Sequence, residues 1–209
     1  MKRIEIKIGG IGGQGVVYAA DLLGVAASQA YHAVAVSASY GAEARGTVTT
    51  TEVVMSDEDI DYPHVEQPDF LIIMHQKAYD VLHTQITPGG NLVIDQYLTK
   101  NISSGNNPAR GESEELQEGC FGRQYLIPAT QIAQDKLADL TLANLILVGG
   151  LVNISQLVMP ETLLNVYKLR FGTKKNALMQ KGLKALQFGL DYKFNADRYK
   201  QAHNSSGKK

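Results

Sequence analysis

The 209-residue chain has no tryptophan and a single cysteine, Cys120. One thiol cannot form an internal disulfide, ligate an iron–sulfur cluster or complete a structural zinc site. Any redox centre that works with this chain is therefore expected on another chain. Cys120 follows Glu118-Gly119 with no base beside it in the sequence, so we do not expect it to act as a catalytic nucleophile.

Long hydrophobic runs are missing as well. The longest apolar stretch, Leu145 to Met159, is interrupted by polar residues and is too short to cross a bilayer. The first residues, Met-Lys-Arg-Ile-Glu, are too charged for a signal peptide. We therefore expect a cytoplasmic protein with no membrane partner and no nucleic-acid partner.

Charge is segregated along the chain, although the net charge is only −1. Residues 165–209 contain eleven Lys or Arg and two Asp or Glu, a balance of +9, which leaves −10 for the first 164 residues. Such segregation favours pairing with an acidic partner subunit or an acidic ligand, and a solvated helix face with a basic tail is the alternative. The expected contributors are Lys174, Lys175, Lys181 and Lys184.

Glycine is concentrated in the segment Gly9-Gly10-Ile11-Gly12-Gly13-Gln14-Gly15, directly after the apolar run Ile4–Ile8. Glycines leave the backbone bare, so the N–H groups of such a turn and of the helix that follows can face an anion. The predicted helix, Val16 to about Tyr31, carries apolar residues at a spacing that buries one face against a sheet. This pattern predicts a phosphate-bearing ligand or a tight contact with another chain.

The hydrophobic pattern predicts an α/β fold, with a mostly parallel central sheet flanked by helices and a helical C-terminal portion. Strands are predicted at 3–9, 32–38, 48–55, 68–75, 91–97 and 125–128. Helices are predicted at 16–31, 76–83, 131–139, 141–158, 161–170 and 174–191. We expect one domain over residues 1–194, with an exposed insertion or lid at 99–119 and a polar tail at 195–209.

A free-standing NAD(P)-binding oxidoreductase is one alternative, because residues 10–15 satisfy the pattern G-x-G-x-x-G. That site needs a carboxylate at the end of the second strand to hold the ribose. No Asp or Glu occurs between Asp21 and Glu43, which lies in the next loop. No Gly-Lys-Ser/Thr follows the glycines either, so the chain lacks a Walker motif.

A second motif, Ser39-Tyr40-Gly41-Ala42-Glu43-Ala44-Arg45-Gly46-Thr47, leaves the second strand at the edge where the glycine turn emerges. Arg45 offers a planar fork suited to phosphate or carboxylate, and Glu43 can orient it. The alternative is a surface Arg–Glu pair of little energetic weight.

Together the two motifs resemble the gamma subunit, or gamma domain, of 2-oxoacid:ferredoxin oxidoreductases. The Asn144…Gly149 helix and the Phe171…Asn176…Gly182 segment are similar to that family too, so the resemblance covers about residues 3–191. Thr47 stands where the family usually has a second glycine after the arginine.

The resemblance implies a subunit and not a complete catalyst. Enzymes of this family convert a 2-oxoacid and coenzyme A to acyl-CoA and CO2 and reduce ferredoxin or flavodoxin. Thiamine diphosphate and the iron–sulfur clusters lie on partner subunits, namely alpha, beta and a ferredoxin-like delta. This chain is then expected to carry no catalytic residue and no metal, to bind no cofactor alone, and to help bind coenzyme A.

The predicted coenzyme A site combines the glycine turn, the second motif and one helix residue. Backbone amides of the turn are expected to face the same cleft as the second motif. The site residues are Gly10, Gly12, Gly13, Gln14, Gly15, Tyr40, Gly41, Arg45, Gly46 and Asn144. A purely architectural subunit without ligand contact stays open as an alternative. The 2-oxoacid also stays open among pyruvate, 2-oxoglutarate, branched-chain and aryl types.

Other polar features favour structural roles. The acidic run Ser56–Asp61 lacks the glycine and terminal glutamate of a calcium loop and is expected to be solvated. His75 ends a buried strand at the ligand-binding edge, where a hydrogen-bonded structural histidine is favoured over an acid–base group. Asn144 lies on an apolar helix, and we expect it to contact the glycine turn.

Overall fold

The computed structural model describes residues 3–40, 47–100, 102, 122–171 and 176–194. These residues form six strands and six α-helices. The elements are β1 (Arg3–Ile11), α1 (Val16–Ala27), β2 (Ala33–Tyr40), β3 (Val48–Ser56), β4 (Phe70–Ile73), α2 (Gln76–Leu82), β5 (Asn91–Asp95), β6 (Arg123–Ile127), α3 (Ala129–Ile132), α4 (Ala143–Ser155), α5 (Pro160–Leu169) and α6 (Ala177–Leu190). Short 3-10 turns cover His83–Gln85 and Leu140–Leu142, and a π-helical turn, Ala133–Leu137, continues α3.

The sheet has the strand order β2-β3-β1-β4-β5-β6. β3 is antiparallel to β1 and β2, whereas β1, β4, β5 and β6 pair in parallel. Five of these six strands therefore run in one direction, which confirms the predicted α/β fold with a mostly parallel sheet. The carboxyl ends of β1, β2, β4, β5 and β6 meet at one edge, where open α/β sheets bind ligands.

The two faces of the sheet are covered by different helices. Along β1, the apolar residues Ile4, Ile6 and Ile8 join the core that includes α1, α4, α5 and α6. β4 is buried on both faces, as its continuous apolar run predicts. Its Ile72 belongs to that larger core, while Leu71 and Ile73 pack with α2 in a second core.

Helices α4 and α6 cross at two glycines. A methyl group on Gly149 would overlap the backbone oxygen of Leu186, and one on Gly189 would overlap that of Ile146. The backbones are thus in direct contact, and larger residues would force the helices apart. α4 is buried along nearly all of its length, from Asn144 to Val152.

Several predicted boundaries differ from the observed ones. α1 ends at Ala27 and not near Tyr31, because the Ser28 hydroxyl bonds Val25 O and competes with the helix ladder. The helix predicted at 141–158 begins as a 3-10 turn and ends at Ser155, since Gln156 adopts φ 52°.

Part of the predicted insertion can be placed. Thr99 is buried, and Ile102 packs against the second core, so the chain stays close to the domain at these two positions. Residues 103–119 lie outside the described residues, as do the tail at 195–209 and the predicted helix start at 174–175. Within the described ranges, no helix has the length and apolar character that a membrane span requires.

Candidate functional site

The glycine turn closes on itself by a backbone hydrogen bond. The N–H of Gln14 donates to Ile11 O at 3.2 Å, and Gly13 adopts φ 92°. A four-residue turn with positive φ at its third residue is a type II turn, which favours glycine at that place. Gly13 is therefore required by the backbone conformation itself.

Gln14 fastens this turn to the sheet. Its Oε1 accepts from the N–H of Ile11 at 2.8 Å, and its Nε2 donates to Met74 O at 3.0 Å. The side chain thus bridges the carboxyl ends of β1 and β4. The N–H of Gln14 is used within the turn and its side chain within the scaffold, so Gln14 supports the turn, and its predicted ligand contact stays a prediction.

The backbone amides of Gly12 and Gly13 differ from that of Gln14. Gly12 and Gly13 are exposed, and within the described ranges their N–H groups have no hydrogen-bond acceptor. α1 begins directly after Gly15 without a side-chain cap, and the first N–H groups of a helix have no partner inside the helix. This set of backbone donors at the positive end of a helix dipole can bind an anion.

Asn144 supports the turn from α4. Its Nδ2 donates to Gly15 O at 3.3 Å, which confirms the expected contact with the glycine turn. Gly15 adopts φ 72°, and a methyl group there would overlap Asn144 Nδ2. Asn144 is 6% exposed, and its Oδ1 has no hydrogen-bond partner within the described part of the chain.

The second sequence motif leaves the sheet beside this turn. The strand register places Tyr40 opposite Thr49 and Thr49 opposite Gly10, in one row across β2, β3 and β1. Both ends of the β2–β3 connection therefore lie at the edge of the glycine turn. Gly41, Arg45 and Gly46 lie outside the described residues, as does the side chain of Tyr40.

An arginine that the sequence did not single out lies next to the start of α1. Arg170 donates to Asp21 at 2.7 Å, and its guanidinium lies 5.1 Å from the centre of the Tyr18 ring. Burial raises the pKa of Tyr18, and Arg170 opposes that shift. These contacts hold the end of α5 against the first turns of α1. They join residues 149 positions apart, so no local pattern could predict them.

The remaining titratable candidates are structural. His75 caps α2, because its Nδ1 accepts from the N–H of Lys77 at 3.2 Å. The acidic run at 56–61 is mostly exposed, and His32 pairs with its Asp59. In the described ranges, no three His, Cys, Asp or Glu side chains come close enough together to hold a metal ion.

Asp95, at the end of β5, was not predicted as a site residue. It is buried and accepts hydrogen bonds from the N–H of Tyr97 and from the N–H and hydroxyl of Thr130. Burial raises the pKa of Asp95, while these hydrogen bonds oppose the shift. Asp95 therefore fixes α3 to the carboxyl edge of the sheet.

Comparison with known proteins identifies the family. A family model described as pyruvate ferredoxin/flavodoxin oxidoreductase matches residues 5–192. The chain belongs to this family. It is 36% identical over 162 residues to 2-oxoglutarate synthase subunit KorC of Methanocaldococcus jannaschii, covering 77% of this chain and 80% of the relative. The resemblance to gamma subunits drawn from the sequence motifs is confirmed.

Solved structures of the family share the fold. A gamma subunit of a keto/oxoacid ferredoxin oxidoreductase from Geobacter sulfurreducens superimposes with a TM-score of 0.72 at 25% identity, covering 90% of this chain and 95% of that one. The 2-oxoglutarate:ferredoxin oxidoreductase of Magnetococcus marinus, solved with 2-oxoglutarate, coenzyme A and succinyl-CoA bound, also gives a TM-score of 0.72. Its identity is 24%, and the match covers 91% of this chain and 31% of that longer chain.

Phe171, Asn176 and Gly182, which also carried the family resemblance, have structural roles in this fold. Asn176 caps α6, since its Oδ1 accepts from the N–H of Met179 at 2.7 Å. Gly182 leaves room for the Tyr167 hydroxyl, which a methyl group there would overlap. Burial raises the pKa of Tyr167 to about 12, so this hydroxyl stays neutral. The ring of Phe171 packs 5.2 Å from that of Tyr167.

Proposed function

We propose that this chain is a gamma subunit that supports oxidative decarboxylation of a 2-oxoacid to acyl-CoA, and that its glycine turn binds an anionic part of coenzyme A. The observation that carries the proposal is a pair of exposed amides, those of Gly12 and Gly13, which have no acceptor among the described residues and lie beside the start of α1, where no side chain caps the helix. Coenzyme A carries phosphate groups, which helix N-termini and glycine backbones bind well. The fold relative from Magnetococcus marinus was solved with coenzyme A bound.

The turn suits this role because it is held rigid from behind. Gln14 ties it to Met74, and Asn144 ties it to α4, so the exposed amides are oriented before any ligand arrives. Preorganised donors bind an anion without a further loss of backbone entropy. Arg45 stands in the connection whose ends adjoin the turn, and in this proposal its guanidinium adds charge to the site.

Replacing Gly13 by Val tests the ligand assignment. Among the described residues no atom lies within 4 Å of a Cβ added at Gly13, so the valine side chain meets no clash there, although the positive φ is strained, and it occupies the approach to the amides. We expect a higher apparent KM for coenzyme A in the assembled enzyme, with little change in the KM for the 2-oxoacid.

Gly89→Val is the matched control. Gly89 also has positive φ (83°) and open space, but it precedes β5 at the opposite edge of the sheet. Both substitutions strain the backbone, and only one lies at the proposed site. An unchanged KM for coenzyme A in an intact Gly13→Val complex would favour the architectural alternative.

The proposed partners are alpha and beta subunits with thiamine diphosphate and a ferredoxin-like delta subunit with iron–sulfur clusters, and ferredoxin or flavodoxin accepts the electrons. The purified single chain should then be colourless and should not reduce a viologen dye with a 2-oxoacid. A brown preparation, or dye reduction without other subunits, would contradict this division of labour.

The basic C-terminal segment is the proposed contact with an acidic partner surface. Lys181 and Lys184 lie three residues apart on α6, and in the described ranges neither has an ion-pair partner. Reversing both to Glu should weaken co-purification with the other subunits, most clearly at low salt. The control reverses Lys100 and Lys136, which are exposed outside this segment. Equal co-purification of both variants would show that the α6 lysines only solvate the helix.

A further inference from the structure

β2 is an edge strand that lacks the usual protection. All eight of its residues pair with β3 in one unbroken register, and no hydrogen bond within the described ranges reaches its outer edge. Its sequence, AVAVSASY, contains no charge, no proline and no bulge. Native proteins normally shield such edges with charges, bulges or covering segments, since an open edge invites another strand.

The opposite edge of the sheet is protected. β6 has five residues and begins with Arg123. The ring of Phe194 also packs against Tyr125 of this strand, with the ring centres 5.2 Å apart. β2 is longer than β6 and lacks the charge that β6 carries.

An apolar surface continues from β2 onto α1. Val36 is 43% exposed and lies against Gly24 of α1, where a methyl group would come within 2.5 Å of Val36 Cγ2. Val25, the next residue of α1, is 44% exposed. A partner strand beside β2 would therefore also cover these two valines.

We propose that this edge pairs with β2 of a second copy of the chain, around a two-fold axis perpendicular to the sheet. Such an axis makes the two strands antiparallel and joins the two sheets into one. With Val36 nearest the axis, residues 33–39 of one copy face residues 39–33 of the other, because directly opposed residues of an antiparallel pair lie on the same face of the sheet. Because β2 is uncharged and its side chains between Ala33 and Ser39 are small, no like charges or large groups meet.

The charge around β2 also favours this antiparallel arrangement. Asp57, Glu58, Asp59 and Asp61 are exposed at the end of the sheet where β2 begins, since Ala33 pairs with Ser56. In the two-fold dimer the two acidic runs lie at opposite ends of the strand pair, about 25 Å apart, beyond the screening length at physiological salt. A parallel pairing would place them side by side.

The test is the mass of the full-length chain in solution, measured by light scattering over a wide range of concentrations. The proposal expects a dimer of twice the 22.7 kDa chain mass. Val36→Lys should weaken dimerisation about tenfold or more, because two lysines would meet near the axis and the valine contact would be lost. Ser39→Lys, on the other face of β2, should weaken dimerisation too. This second variant keeps the test decisive if Val36→Lys does not fold.

Val81→Lys is the matched control, since Val81 is 54% exposed on α2, in the layer away from α1. It should dimerise like the unmodified chain, with thermal melting used to confirm that every variant is folded. A chain that is monomeric at all concentrations would overturn the proposal. A dimer that resists both β2 substitutions, or that Val81→Lys weakens equally, would overturn it as well.

Discussion

Gly12, Gly13 and Gly15 should respond differently to substitution by alanine, because their backbone conformations and surroundings differ. Gly12 has open space and no positive φ, so Gly12→Ala should leave the free energy of unfolding nearly unchanged. A methyl group on Gly13 would meet no described atom, but Gly13 adopts φ 92°. Gly13→Ala should therefore lower the free energy of unfolding by about 1–2 kcal/mol. Gly15 adopts φ 72°, and a methyl group there would also overlap Asn144. Gly15→Ala should therefore lower the free energy of unfolding by about 3 kcal/mol.

Asn144 provides the internal check on this ranking. Asn144→Ala removes one hydrogen bond to Gly15 O, worth about 1 kcal/mol, and also removes a buried oxygen that has no partner in the described part of the chain. In the double variant with Gly15→Ala the overlap disappears, while the strain of positive φ remains. The double variant should therefore be more stable than the sum of the single effects predicts, by about 1–2 kcal/mol.

Urea unfolding followed by circular dichroism measures all of these differences on the full chain. The slope of the unfolding free energy against urea should be unchanged, so that the midpoints report stability. Equal midpoints for Gly12→Ala and Gly15→Ala would refute the steric argument. A strictly additive double variant would show that Asn144 does not occupy the space beside Gly15.

Three further predictions concern the scaffold. Gly189→Ala should lower the free energy of unfolding by about 3 kcal/mol, because its methyl group would displace Ile146 and separate α4 from α6. Asp95→Asn should lower it by about 2 kcal/mol, since an amide NH2 would face backbone and hydroxyl donors. Burial raises the pKa of Glu52, but hydrogen bonds from Val65 N–H and Lys7 outweigh it and lower the pKa overall. Glu52→Gln should therefore destabilise the chain at neutral pH, and the difference should be lost as pH falls through the lowered folded-state pKa of Glu52.

Exposed residues of the same types serve as controls for these measurements. Asp61→Asn and Glu58→Gln make the same changes as Asp95→Asn and Glu52→Gln at exposed positions, and Gln187→Ala introduces an alanine at an exposed position of α6. Each should change stability by less than about 0.5 kcal/mol. If Glu58→Gln shows the same pH dependence as Glu52→Gln, the effect does not come from the Lys7 contact.

The sequence predicted those parts of the fold that depend on local periodicity. Of the predicted apolar stripe, Val16, Ala20, Leu23 and Ala27 are buried, whereas Ala30 is exposed because α1 ends at Ala27. The continuous run of β4 is covered on both faces. In these segments the burial pattern follows from residues within one or two turns of each other. The chain reversal at the glycine segment was predictable for the same reason.

Contacts between distant segments could not be predicted in the same way. Nothing near Gly149 shows that Gly189 crosses it, and the pairing of Arg170 with Asp21 depends on how α5 meets α1. Gln14 shows the same limit, because no residue near it in the sequence indicates what its side chain contacts. Its two amide atoms satisfy backbone groups of β1 and β4, which only become neighbours when the sheet forms.

The glycine turn thus contains two kinds of residue with separate tasks. Gly13, Gln14 and Gly15 set the backbone path, since positive φ and the bonds to Met74 and Asn144 leave little freedom. A Cβ added at Gly12 would meet no atom of the described residues within 4 Å, and Gly12 has no positive φ, so nothing in the described part of the chain requires a glycine there. The exposed amide of Gly12 is therefore available to bind the proposed ligand. Gly12→Val should then weaken coenzyme A binding while leaving the free energy of unfolding nearly unchanged. A substitution at Gly15 cannot separate the two effects, because it also destabilises the fold.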